Sequence, residues 1–149
     1  MPGPMKQKTD AELRHERLEF YKEEMSEING TLRNFLTRAQ ANAAFLVDKD
    51  GHLITREGID DRMDVDSICG LVAGGFAATR QMASILGEDT FLNLFHQGKR
   101  ANIQITLVGD RTILAVVFDD NTTIGKVRLY LGETAALLTQ AFERIERRS

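Results

Sequence analysis

The chain has 149 residues, which is enough for one domain whose core needs no disulfide or metal support. Its net charge of -3, with acidic and basic residues interleaved, argues against the broad basic surface of a nucleic-acid-binding protein. The single cysteine, Cys69, excludes an intrachain disulfide and a cysteine-based zinc site.

Metal and cofactor sites are not predicted, because the three histidines have no metal-ligand spacing. No apolar run reaches the ~20 residues that span a bilayer. The start of the chain, "MPGPMKQKTD", has no apolar segment of the kind found in signal peptides. We therefore expect a cytoplasmic protein whose residues 1–8 are disordered.

A long helix is the first predicted element. Thr9 and Glu12 have the spacing of a capping box, in which each side chain bonds the backbone of the other residue. Apolar residues then recur in steps of four and three, which keeps them on one helix face. They are Tyr21, Met25, Ile28, Leu32, Phe35 and Ala39. Residues 1–21 have few apolar anchors and are predicted to form a flexible or helical extension, whereas residues 22–149 form the domain.

A hairpin and a second helix follow. Two short apolar strands, residues 44–47 and 53–56, flank Asp50-Gly51, a dipeptide typical of hairpin turns. The second helix is predicted to run from about residue 65 to 86, with Asp64 or Asp66 as its N-cap. Gly87 is the kind of residue at which helices end.

Three strands and a last helix complete the chain. Residues 103–107 alternate between apolar and polar, which predicts a strand with one buried face. Residues 113–118 are apolar on both faces and predict a central strand. A final helix begins after Thr122 or Thr123, either of which can cap it. The element order is α-β-β-α-β-β-β-α, an α/β (α+β) fold in one domain.

The densest small-residue stretch, "CGLVAGGFAATRQ" at residues 69–81, lies within the second helix. It lacks the Gly-Lys-Ser/Thr and Gly-x-Gly-x-x-Gly patterns of nucleotide loops, and helical amides are already bonded. One apolar face is predicted to pack on the sheet: Ile68, Leu71, Val72, Gly75, Met82, Ala83 and Leu86. A second stripe has almost no bulk: Gly70, Gly74, Ala77, Gln81 and Ser84. This stripe predicts close approach of another backbone, from the same chain or from a second one.

Other candidate sites favour structural roles. "FHQGKR" places His96 beside Lys99 and Arg100, but its glycine lies where a hairpin must turn. Asp119 and Asp120 precede the last helix and are interpreted as capping and dipole partners. "DKDG" begins like a calcium loop without the closing glutamate. Cys69 is interpreted as a buried small side chain.

Several strings resemble the roadblock/LC7 family, and within it the bacterial gliding-motility type. They are "LVDKDGHLI", "LVAGGFAATRQMASILGED", "LFHQGKRANIQITLVGDRTILAVVFDD" and "TTIGKVRLYL". The resemblance covers residues 32–142 and implies a five-stranded antiparallel sheet between helices. It also implies a homodimer that binds a small Ras-like GTPase through its second helix and stimulates GTP hydrolysis without inserting an arginine.

The resemblance implies the partner-binding residues Gly70, Ala73, Gly74, Ala77 and Gln81. It implies no catalytic residue, no metal and no cofactor. Two further functions stay open. One is a scaffold that binds a GTPase or a motility complex without stimulating hydrolysis. The other is an enzyme acting on a small molecule, for which the sequence shows no cluster of catalytic groups.

Overall fold

The computed structural model describes residues 7–58, 63–89 and 92–148, and it confirms the predicted order of elements. The segment predicted to be disordered lies partly outside the described residues, which begin at Gln7. The elements are α1 (Asp10–Ala39), β1 (Ala43–Asp48), β2 (Leu53–Glu57), α2 (Val65–Ile85), β3 (Asn93–Gln97), β4 (Asn102–Val108), β5 (Thr112–Phe118) and α3 (Ile124–Arg148).

The five strands form one antiparallel sheet in the order β2-β1-β5-β4-β3. β5 lies at the centre, and all seven of its residues are buried, as its apolar sequence predicts. Its alternate side chains enter two separate cores. Leu114 and Val116 join the core beneath α1 and α3, whereas Ile113 and Ala115 join the core beneath α2. The sheet therefore lies between two helical layers.

The first layer is an antiparallel pair, α1 and α3. The predicted capping box is present, because Glu12 N donates to Thr9 Oγ1 and Thr9 N donates to Glu12. Ile28, Leu32 and Phe35 bury the predicted face of α1. Ion pairs join the helices at both ends, Arg38 to Glu133 and Arg144 to Glu24.

The polar face of β4 differs from its prediction. Ile105 is buried, but Ile103 and Leu107 are only half-buried, and Gln104 is fully buried on the opposite face. Its amide Nε2 donates to Asn93 Oδ1 at 3.2 Å and to Thr106 Oγ1 at 3.3 Å. The prediction of one buried face is wrong because α1 and α3 also cover this side of the sheet. Neighbouring side chains thus accept from the amide nitrogen, whereas the Gln104 Oε1 is buried without a hydrogen-bond partner among the described residues.

Within the described ranges, no helix combines the length and the apolarity that a bilayer crossing requires.

Gly58 closes β2 with a φ of +80°, and a Cβ there would collide with the carbonyl oxygen of Asn42. We expect Gly58→Ala to lower the free energy of unfolding by about 2 kcal/mol or more, since both the backbone and the neighbour must shift. Gly30 is the matched control, because the nearest atom to an added Cβ is 3.8 Å away. Gly30→Ala should stabilise α1 by up to about 1 kcal/mol. Urea denaturation measures both; equal effects would contradict this account.

Candidate partner-binding surface

α2 begins at a capped N-terminus. Of the two predicted caps, Asp64 is the one present: its Oδ1 accepts from Ser67 N at 3.1 Å, and its Oδ2 accepts from Ser67 Oγ at 2.7 Å. These hydrogen bonds, from the Ser67 side chain first and its backbone second, lower the pKa of Asp64. The helix ends at Ile85, and Gly87 takes a φ of +81° just beyond, as expected for a helix end.

One narrow face of α2 packs on the sheet. Its buried residues are Cys69, Val72, Ala73, Phe76, Thr79 and Ala83. Phe76 is the one aromatic ring among them, and the others are small or of medium size. The apolar residues of this face share one core with side chains of β1 and β5.

The predicted sheet-facing side of α2 is partly wrong. Val72 and Ala83 are buried as predicted and Ile68 is half-buried, but Leu71, Gly75, Met82 and Leu86 are exposed. The helix is rotated by roughly one residue step, about 100°, from the predicted orientation. Apolar residues surround α2 on most of its circumference, so periodicity alone does not select the side that packs.

The small-residue stripe of α2 points away from the core. Gly70, Gly74, Ala77 and Gln81 are exposed, as a partner-binding stripe requires. Ala73 is the exception: it is only 6% exposed and lies on the sheet side, so the structure removes it from the accessible surface. The partner-binding role of the other four residues stays a prediction.

The glycines of α2 leave open space on the outward side of the helix. Among the described residues, an added Cβ at Gly70, Gly74 or Gly75 would have no atom of another element within 4 Å. The hairpin turn does approach the start of α2, where a Cβ on Gly51 would lie 3.1 Å from Gly70 Cα. That contact explains a glycine at position 51. It does not explain Gly74 and Gly75, and it leaves the outward side of α2 open.

Large aliphatic side chains stand beside the stripe. Leu71 is 75% exposed and Ile85 is 83% exposed, and Met82 and Leu86 are also largely in solvent. We call the set Gly70, Leu71, Gly74, Ala77, Gln81, Met82 and Ile85 the α2 surface. Exposed apolar patches of this kind are typical of surfaces that contact another macromolecule. Sequence reasoning missed Leu71, Met82 and Leu86 because it assigned them to the core, and it assigned Ile85 to neither face.

The other candidate sites have structural explanations. Gly98 turns the β3–β4 hairpin, donating to Ala101 O at 3.0 Å, while His96 stays exposed. Burial raises the pKa of the Cys69 thiol, helped by the charges of Asp66 and Asp48, which is consistent with an inert side chain.

The acidic side chains in two of the turns accept hydrogen bonds from backbone N–H groups. Asp48 Oδ1 accepts from the backbone N–H groups of Asp50 and His52, each at 2.9 Å. Asp119 is not the cap of α3, which corrects the prediction: it accepts from Asn121 N and Asn42 Nδ2, and these bonds lower its pKa. Thr123, one of the two predicted caps, accepts from Lys126 N at 3.2 Å.

The order of elements, the sheet and the glycine-rich helix define a roadblock domain. The chain belongs to the Roadblock/LC7 domain family, whose model matches residues 27–118. Among solved structures it is similar to Myxococcus xanthus MglB, with 38% identity over 79% of this chain and 96% of that one and a TM-score of 0.76. It is also similar to the gliding protein MglB from Thermus thermophilus, with 28% identity over 81% and 92% of the two chains and a TM-score of 0.78. Comparison with curated proteins gives no match.

The N-cap of α2 predicts a pH-dependent stability. Because the folded-state pKa of Asp64 is lowered, its ionised form stabilises the fold above the ordinary aspartate pKa, and this contribution is lost as pH falls through the folded-state pKa. Wild type should therefore melt higher than Asp64→Asn near neutral pH, and the difference should shrink in acid. Asp66→Asn, in the first turn but without the capping bonds, is the control. A pH-independent difference for Asp64→Asn would contradict the assignment.

Proposed function

We propose that the protein is a homodimeric regulator of a small Ras-like GTPase in bacterial cell polarity or motility, and that it stimulates GTP hydrolysis. The observation that carries the proposal is the α2 surface, where a Cβ added to Gly70 or Gly74 would meet nothing of the described chain within 4 Å and where aliphatic side chains are left in solvent. The likeness to MglB supports a partner from the same class of system. Because the partner uses GTP, the proposed location is the cytoplasm.

The proposed mechanism is remodelling of the GTPase, with no active site in this chain. Phosphoryl transfer depends on positioning and electrostatic stabilisation, so a surface that holds the partner's own catalytic groups in place is sufficient. Gly70, Gly74 and Ala77 leave a path on which a rigid partner can lie close to the helix backbone. Arg80 is half-buried, and Arg100 and Arg111 lie in or beside hairpin turns, so we assign none of them as an inserted arginine.

The homodimer is supported by two features. β3 is an edge strand of the sheet, and its outer backbone groups are open to pairing. The C-terminal half of α2 exposes Met82 and Ile85, which an isologous contact would bury twice, once on each protomer.

The alternative proposal is a roadblock scaffold that binds the GTPase or a motility complex without stimulating hydrolysis, and the same α2 surface serves it. The two differ in one measurement, the hydrolysis rate of a bound GTPase. An enzyme acting on a small molecule is not favoured, because the titratable clusters described above have structural explanations.

Gly74→Arg tests the proposed function. The large side chain projects from the α2 surface without meeting the fold, so circular dichroism should be unchanged while stimulation of GTP hydrolysis is lost. Gly132→Arg on α3 is the matched control, since an added Cβ there also meets nothing within 4 Å. It should retain stimulation. The assay uses Ras-like GTPases encoded in neighbouring genes. Wild type that binds the GTPase without faster hydrolysis selects the scaffold; stimulation that survives Gly74→Arg contradicts the proposed surface.

Ile85→Asp tests the homodimer. A carboxylate at this exposed position leaves the monomer intact but would be desolvated in an apolar interface. We expect the molar mass measured by light scattering to fall by half, because the α2 contact between chains is lost. Leu129→Asp on α3, where the leucine is also largely open to solvent, should keep the wild-type mass. Wild type that is monomeric at micromolar concentration would disprove the dimer.

A further inference from the structure

The first turns of α1 extend beyond the rest of the molecule. Arg144 near the end of α3 donates to Glu24 at 3.0 Å and to Glu27 at 3.0 Å, which fixes the register of the antiparallel pair. The described part of α3 runs to Arg148, about one turn later, so among the described residues no helix lies beside the α1 residues that are more than about one turn before Glu24. We call residues 10–21 the overhang. It lies before the part of the chain that the family model matches.

The overhang continues the buried face of α1 into solvent. Arg14, Arg17 and Tyr21 lead to the buried Glu24 and Ile28 in steps of three and four, so they lie on one face. Tyr21 is 46% exposed, and Leu13 and Leu18 beside this face are also exposed. Ion pairs form at Lys8 and Lys22, whereas none forms at Arg14 or Arg17 among the described residues. The face therefore carries two arginines and one carboxylate, that of Asp10, beside apolar side chains, and Arg14 and Arg17 have no ion-pair partner within the described part of the chain.

An acidic cleft lies at the same end of the fold. It has a volume of about 470 Å³ and lies between the β4–β5 turn and the last turns of α3. Val108 and Phe142 form apolar walls, and the charged residues of the lining are Asp110, Glu143, Glu146 and one cation, Arg111. Its chemistry is thus complementary to that of the overhang, with an excess of carboxylates around an apolar centre.

We propose that the overhang of one chain docks into the acidic cleft of a second copy, reciprocally about a two-fold axis. Arg14 and Arg17 then face Asp110 and Glu143. The overhang does not reach the cleft of its own chain, because α1 is one continuous helix whose first turns point away from the fold. A two-fold axis at this end brings each overhang to the other cleft, so both pairs of complementary surfaces are buried at once.

An anionic membrane is a poorer fit for the overhang. Its opposite side carries Glu12, Glu16, Glu19 and Glu23. Residues 7–23 contain five acidic and four basic residues, and the whole chain has a net charge of -3. The acidic cleft of a second copy contacts only the side of the overhang that carries Arg14 and Arg17. An anionic lipid surface also repels the acidic side of the overhang and the rest of the molecule, whose net charge is negative.

Charge reversal with complementation tests the docking. In isolation, the double variants R14E/R17E and D110K/E143K should each lose the assembly, with a dissociation constant raised about tenfold or more, because like charges then face each other. Mixed in equal amounts they should recover it. In a mixed pair, the charge-reversed overhang of the first variant meets the charge-reversed cleft of the second. The other contact joins a wild-type overhang to a wild-type cleft. The readout is molar mass by light scattering, which should at least double in the mixture. α2 is identical in all samples, so assembly through the α2 surface does not enter the comparison.

The control variant is E16K/E23K, which changes two charges on the opposite side of the overhang and should keep the wild-type mass. Two results would overturn the proposal: a wild-type mass that R14E/R17E leaves unchanged, and a mixture that fails to recover the mass lost by each variant alone. Phosphatidylserine vesicles provide the competing readout. Binding of wild type to them, lost in R14E/R17E without any change in mass, would assign the overhang to a membrane. GTP hydrolysis by a partner GTPase should be unaffected by R14E/R17E, so failure here is separate from failure of the proposed function.

Discussion

The architecture depends on β5, a strand that is apolar on both faces and buried at every residue. Such a strand is stable only between two covering layers. The chain supplies these layers unequally: α1 and α3 together cover one face, whereas α2 alone covers the other. A single helix on a five-stranded sheet leaves apolar side chains at its margins. Leu94, Ile103 and Leu107 are accordingly only half-buried on the α2 side. The unequal cover explains why the apolar surface open to partners lies on this face.

Within α2, the glycine content and the exposure of aliphatic side chains both favour a partner on the outward side of the helix. A glycine inside a helix costs up to about 1 kcal/mol relative to alanine. At Gly74 and Gly75, a Cβ would have open space around it in the described part of the chain, so no close approach within the chain explains these glycines. Aliphatic residues beside them are in solvent, although they would stabilise the protein if buried. A contact with another chain would offset both the cost of the helical glycines and the exposure of the aliphatic residues. The glycines allow its backbone to come close, and the same contact covers the aliphatic side chains.

Local rules predicted most of the fold, and long-range packing accounts for the errors. The capping box at Thr9, the Asp64 cap and the Gly87 helix end depend on neighbours within a few residues, so the sequence was sufficient for them. The orientation of α2 was not predictable in this way. Leu71 and Met82 look like core residues in a periodic pattern, and only the burial of Phe76 and its neighbours in the folded chain shows that they face outward. Gln104 is a similar case: alternation places it on a polar face, and only the position of α3 buries it.

The two proposed contacts use opposite sides of the sheet. The α2 surface lies in one layer, and the overhang and the acidic cleft extend from the layer of α1 and α3. Because the five-stranded sheet lies between the two surfaces, occupation of one contact does not block the other. An assembly joined through the overhangs therefore leaves its α2 surfaces accessible and brings several of them together. For a partner that binds through α2, such an assembly raises the local concentration of binding sites without altering any of them, which is the physical basis of avidity.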